Sequence, residues 1–161
     1  MNHHRASDLA ERLQHGANDL IDFARTLSPA EWQIRLPGDN RTVGTIVHHV
    51  ASVYPLEIQL ALTVAAGSPV VGVTMEDVHA MNAKHAKEWH SVTTGVAIEL
   101  LMRNSADAAA AIRGLSNAQL EQSARVSLYG DAPLTCQFVL EDHAVRHSYH
   151  HLAAIRRALT R

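Results

Sequence analysis

Cys136 is the single cysteine of the chain. An internal disulfide framework and a cysteine-rich zinc module are therefore both excluded, and the thiol reads as a small buried hydrophobe. A basic excess is also missing. Fourteen Lys and Arg stand against 16 Asp and Glu, a formal charge of −2. That balance argues against a nucleic-acid partner, whose phosphates are met by a basic patch. Long apolar runs are lacking: the most apolar stretch, residues 56–66, carries Glu57 and is far short of the roughly 20 residues that span a bilayer. The first eight residues hold no apolar core of a signal peptide. The expectation is a cytoplasmic protein with no membrane contact. His3 and His4 read as part of a frayed terminus.

Several metal and nucleotide signatures are absent as well. His143-Ala144-Val145-Arg146-His147 and His147-Ser148-Tyr149-His150-His151 both lack the glutamate of a zinc-protease His-Glu-x-x-His. A carboxylate di-iron bundle needs two Glu-x-x-His motifs, and only Glu76-Asp77-Val78-His79 matches. No phosphate-binding loop, dinucleotide fingerprint or Gly-x-Ser-x-Gly elbow is visible.

What is abundant is helical periodicity and histidine. The apolar spacing predicts a first helix from Ser7 to about Leu27 and a short one begun by Ser28-Pro29-Ala30-Glu31, a capping box with proline at the first helical position. A long helix opens at Thr42 and ends near Ala66, with Pro55 expected to kink or shorten it. Thr74 caps a helix running through Trp89, and a break over 91–95 precedes another from Val96 to Arg113. Ser116 caps a short piece. Residues 124–128 form a short extended segment before the turn at 129–133, and a last helix covers Leu134 to Leu159. With 47% apolar residues in a chain of 161, the pattern predicts one domain, residues 1–161. Its fold class is all-α, a four-helix bundle with short extra helices in the connections and no sheet.

The 12 histidines separate by helical geometry. His143, His147 and His151 recur every fourth residue, about one turn. An i, i+4 pair of imidazoles can chelate one ion at about 2.0–2.1 Å from each nitrogen. The stripe Val145, Ser148, Leu152 and Ile155 defines the inward direction. It favours His147 and His151 as the pair, leaves His143 at the edge or as a supporting group, and turns His150 away. On the second long helix His49 lies one turn from Ile46 and Val53 and looks inward, whereas His48 faces small, more exposed neighbours. His49, His147 and His151 are thus the candidate metal ligands, and Glu57 and Asp142 the candidates to orient them. Three neutral imidazoles leave a coordination position open, as in catalytic zinc sites. Nickel, copper or iron also suits such a set, so the identity of the metal does not follow from it. His79, His85 and His90 read as polar residues of the surface or of an interface, although the segment from Asp77 to Ala86 could line the mouth of a cleft; Trp32 and Trp89 read as packing residues.

Two of these segments resemble the DinB-like superfamily of metal-binding four-helix bundles. Thr42-Val43-Gly44-Thr45-Ile46-Val47-His48-His49-Val50 is similar to its second-helix motif, matching His49. His147-Ser148-Tyr149-His150-His151-Leu152 is similar to its late His-x-x-x-His motif, matching His147 and His151. Where common members carry Gly-Gln soon after the last histidine, this chain has Ala153-Ala154. The resemblance implies a three-histidine site for zinc or nickel and a homodimer. It also implies an enzyme using a low-molecular-weight thiol as cosubstrate, or a metal-dependent hydrolase. The leading expectation is a thiol-dependent S-transferase acting on a small molecule. The alternatives are hydrolysis by metal-bound hydroxide and a non-enzymatic metal-binding or helical interaction protein.

Overall fold

Side-chain caps decide where most of the helices begin. In the computed structural model, which describes residues 4–160, Ser28 and Glu31 form the reciprocal capping box that starts α2 (Pro29–Trp32). Thr42 caps α3 (Val43–Ala65), and Thr74 with Asp77 boxes α4 (Met75–Glu88). Thr93 caps α5 (Thr94–Arg113), and Ser116 with Gln119 boxes α6 (Asn117–Glu121). Each hydroxyl accepts a backbone N–H that the first helical turn leaves without a partner. The first helix, α1 (His4–Arg25), departs from expectation: it starts before Ser7, so His4 belongs to a helix, while His3 lies outside the described residues.

The C-terminal helix is compound. α7 (Cys136–Leu140) widens into a π-type turn over Glu141–Val145 and continues as α8 (Arg146–Ala158). It begins later than expected, because residues 132–135 are not helical. β1 (Ser123–Val126) and β2 (Ala132–Thr135) pair antiparallel, Ser123 opposite Thr135 and Val126 opposite Ala132. The expected absence of any sheet is thus corrected by one small hairpin. Its first strand falls on the extended segment, and its second, Ala132-Pro133-Leu134-Thr135, carries a proline that cannot continue a helix.

Four long helices make the bundle. α1 and α3 each lie between α5 and the α7–α8 helix. Leu13 and Leu20 of α1, Ile46 and Val50 of α3, Leu101 and Ile112 of α5, and Leu140 and Ile155 of the last helix are fully buried between them. Each such side chain stabilises the fold by about 1.5–3 kcal/mol relative to exposure. Cys136 is buried too, and burial raises its thiol pKa to about 11. No described helix is long and apolar enough to cross a membrane.

Two close approaches set the helices that matter below. A Cβ on Gly44 would sit 2.3 Å from Trp32 Nε1, so only glycine lets the indole lie on the first turn of α3. That Nε1 donates to the Val92 carbonyl at 2.9 Å. A Cβ on Gly16 would meet the Tyr149 ring at 2.6 Å, and Tyr149 donates to the Arg12 carbonyl at 2.9 Å, drawing α8 onto α1. Pro55 does not shorten α3, which runs through it. Proline has no N–H for the carbonyl four residues back; that group, Ala51 O, accepts instead from Asn104 Nδ2 of α5 at 2.8 Å.

Candidate metal centre

His49, His147 and His151 meet between α3 and α8, each offering a nitrogen within 4.8 Å of the others. On α3, His49 follows Ile46 and precedes Val53 on the buried face, and Glu57 continues that face two turns on. On α8 the four-residue spacing stacks the His147 and His151 rings 4.9 Å apart. Tyr54 and Ser148, both fully buried, are 2.6 Å apart and tie the two helices together beside the cluster.

Glu57, only 8% exposed, holds the ring of His147. Its Oε1 lies 2.5 Å from His147 Nδ1. A carboxylate accepts, so Nδ1 is the donor of this bond and Nε2 is the nitrogen turned toward the cluster. That Nε2 lies 3.3 Å from His49 Nε2. Two nitrogens bound tetrahedrally at about 2.0–2.1 Å from one ion are roughly 3.3–3.4 Å apart, so the spacing fits a divalent cation. His49 Nδ1 and Glu57 Oε2 are sealed from solvent without a protein partner.

The surroundings keep two of the ligand candidates neutral. Burial, then the neighbouring His147, Arg41 and His151, depress the His49 pKa to about 2. Burial, then His147 and Arg41, depress His151 to about 3. A neutral imidazole is the form that ligates metal.

Several flanking residues differ from expectation. His48 is buried, not on the more exposed side: its ring stacks on Trp89 at 4.0 Å, and its Nδ1 lies 2.9 Å from His85 Nε2. His85 takes the interface position rather than the surface one, half-buried and edging onto His49 at 5.6 Å. Burial, then the charges of His48 and Arg41, lower its pKa to about 4. The reason is tertiary: α4 packs on α3, which no periodicity within either helix reveals. His143 leaves the i, i+4 row because the π-type turn adds a residue to the helical repeat there. It contacts Tyr129 instead, with Nε2 3.0 Å from the hydroxyl. Asp142 holds Tyr129 and Arg146 rather than a triad histidine, so of the two orienting candidates only Glu57 takes that position. His150 is exposed, as expected. No pattern in the sequence marks Arg41. Asp39 grips it through a fork of 2.5 and 2.7 Å, and its charge disfavours protonation of His49, His151 and His85.

Two depressions open onto the cluster. A cavity of about 840 Å³ reaches His49, Glu57 and His147. A polar one of about 170 Å³ is lined by Glu57, His147, His151 and Arg146 among others.

Comparison with solved structures places the fold among known bundles. The chain superposes on YfiT from Bacillus subtilis, described as a probable metal-dependent hydrolase with an unusual four-helix bundle topology, with a TM-score of 0.77. The two are 16% identical, and the match covers 98% of this chain and 87% of that one. Among curated proteins none matches significantly. Identity this low speaks to the fold alone. A family model, however, matches residues 12–155, which include α3, most of α8 and all three clustered histidines. The chain belongs to the DinB superfamily.

Proposed function

We propose that this protein is a divalent-metal-dependent hydrolase of small molecules, with His49, His147 and His151 as ligands of zinc or nickel. The observation that carries the reading is the 3.3 Å approach of His49 Nε2 and His147 Nε2, with Glu57 behind His147. An ion bound there supplies Lewis acidity, lowering the pKa of a water or thiol and polarising a substrate. The chain supplies the rest. Glu57 holds the proton on His147 Nδ1, which fixes ring and tautomer. Buried His49 and half-buried His151 stay neutral at neutral pH, each keeping a lone pair. The hydrogen-bonded His48–His85 pair walls the ring of His49. Bonding between Tyr54 and Ser148 holds α3 against α8, so the nitrogens stay in register.

Hydrolysis is the chemistry named in the description of the YfiT fold relative, a probable metal-dependent hydrolase. Transfer to a thiol remains the second reading for one reason: a cavity of about 840 Å³ has room for two organic reactants. Elemental analysis of protein purified without added metal tests the centre. One equivalent of a divalent metal is expected, lost in His147→Ala and His151→Ala. Unchanged metal content in those variants would refute it. Ester and amide hydrolysis assayed beside thiol conjugation then separates the two chemistries.

A further inference from the structure

The large cavity has a composition unlike the metal centre it adjoins. Its walls are Val53 and Leu60 of α3, Val70 and Val73 of the following loop, Met81 of α4, and Leu128 after the hairpin's first strand. α4 contributes no residue to the buried core. Its Met75, Val78 and Met81 recur every third residue on one helix face, and all three line the cavity. Leu56, Val71, Met75 and Met81 are 54, 72, 52 and 40% exposed, and all four belong to this one lining. Large apolar side chains gathered around a concavity mark a binding site rather than scattered surface, and methionine adapts to ligand shape. The volume, about 840 Å³, lies in the upper part of the range for small-molecule sites, roughly 300–1,000 Å³.

Among the polar groups of the wall, Tyr129, Asp142 and His143 form one connected set. Tyr129 donates to Asp142 Oδ2, and its oxygen lies 3.0 Å from His143 Nε2. The phenol has one proton, already given to Asp142, so His143 Nε2 is the donor in that second bond. Charge is also uneven. Glu57, Asp77 and Asp142 line the cavity against Arg146.

We propose that this cavity binds the substrate, and that the substrate is an uncharged, largely apolar organic molecule with a hydrogen-bonding head, rather than a small organic acid. The proposal rests on the metal-centre reading only for calling the ligand a substrate; the binding itself is a property of this wall.

N-phenyl-1-naphthylamine, neutral, and 1-anilinonaphthalene-8-sulfonate, anionic, probe it directly on the full chain by fluorescence titration. Saturable binding of one equivalent of the neutral probe is expected, with the anionic one at least ten-fold weaker. Leu56→Glu and Met81→Glu should each weaken the neutral probe ten-fold or more while far-UV circular dichroism and metal content stay as in the parent. Val96→Glu and Met102→Glu, at sites 48 and 50% exposed and outside the lining, should leave it unchanged. Equal binding of both probes overturns the proposal, as does equal loss in the control variants. Sedimentation must show one species size for parent and rim variants. A dimer dissociated by Leu56→Glu would make this face a contact between copies and overturn the proposal too. Loss of metal with probe binding intact counts against the metal centre alone.

Discussion

Replacing Glu57 tests the electrostatics of the proposed centre more sharply than removing a candidate ligand, because it leaves all three imidazoles in place. The carboxylate is 8% exposed and accepts from His147 Nδ1 at 2.5 Å. A bond to an ionised acceptor is about twice as strong as a neutral one, and loss of such a supporting group lowers metal affinity roughly 10–100-fold, or about 1.4–2.7 kcal/mol. Glu57→Gln keeps an acceptor for the Nδ1 proton but drops the charge, so a loss near ten-fold is expected. Glu57→Leu removes the acceptor. His147 Nδ1 is then left unsatisfied at a cost of about 1–3 kcal/mol, the ring is free to turn, and the loss should approach 100-fold. Competition against a chromophoric zinc chelator measures both, with folding checked by circular dichroism. Parental affinity in a folded Glu57→Leu variant would refute the account, since His147 would then need no partner to present Nε2.

Three further outcomes follow from the same geometry. Metal-free protein should lose stability as pH falls below about 6.5. His49 and His151 have folded pKa values of about 2 and 3, below the ordinary 6.5, so the unfolded chain takes up protons first. Stability then drops by about 1.4 kcal/mol per pH unit for each histidine. Urea melts in chelator between pH 6.5 and 4.5, above the range where Asp39 and Asp77 titrate, should show the slope; a flat profile contradicts it. Asn104→Ala should destabilise by about 1–3 kcal/mol by stranding Ala51 O, and much less in a Pro55→Ala background, where the backbone N–H returns. Additive effects in that double-mutant cycle would dismiss the compensation. Gly44→Ala should push Trp32 off the first turn of α3, break its bond to Val92 O and destabilise by about 1–3 kcal/mol. Tryptophan fluorescence should shift to the red, and an unshifted spectrum at parental stability would count against the close contact.

Much of the bundle could be read residue by residue. Ser28, Thr42, Thr74 and Ser116 announce helix starts because capping is a local bond between a hydroxyl and an amide two or three residues away. His147 and His151 could be paired because four residues make one turn, and His49 could be turned inward because Ile46 and Val53 show which way is in. Glu57 followed from the same stripe. These are one-helix properties, and one-helix arithmetic reaches them.

Other features needed the packed chain. The burial of His48 and the approach of His85 depend on α4 lying against α3, and α4 has no buried face to advertise that contact. The displacement of His143 depends on a π-type turn, and a constant 100° per residue is blind to it. Arg41 acts at a distance through its charge, from a turn whose composition says only that the chain reverses. Pro55 was expected to disturb α3, and an asparagine 49 residues later absorbs the missing bond.

The order of residues therefore settled which elements form and which histidines share a face, since both are governed by contacts a few residues apart. Tertiary structure alone decided that His49 Nε2 and His147 Nε2 stand 3.3 Å apart and that an apolar cavity opens beside them. Those distances join side chains 98 positions apart, and only the crossing of α3 and α8, locked by Tyr54 and Ser148, sets them.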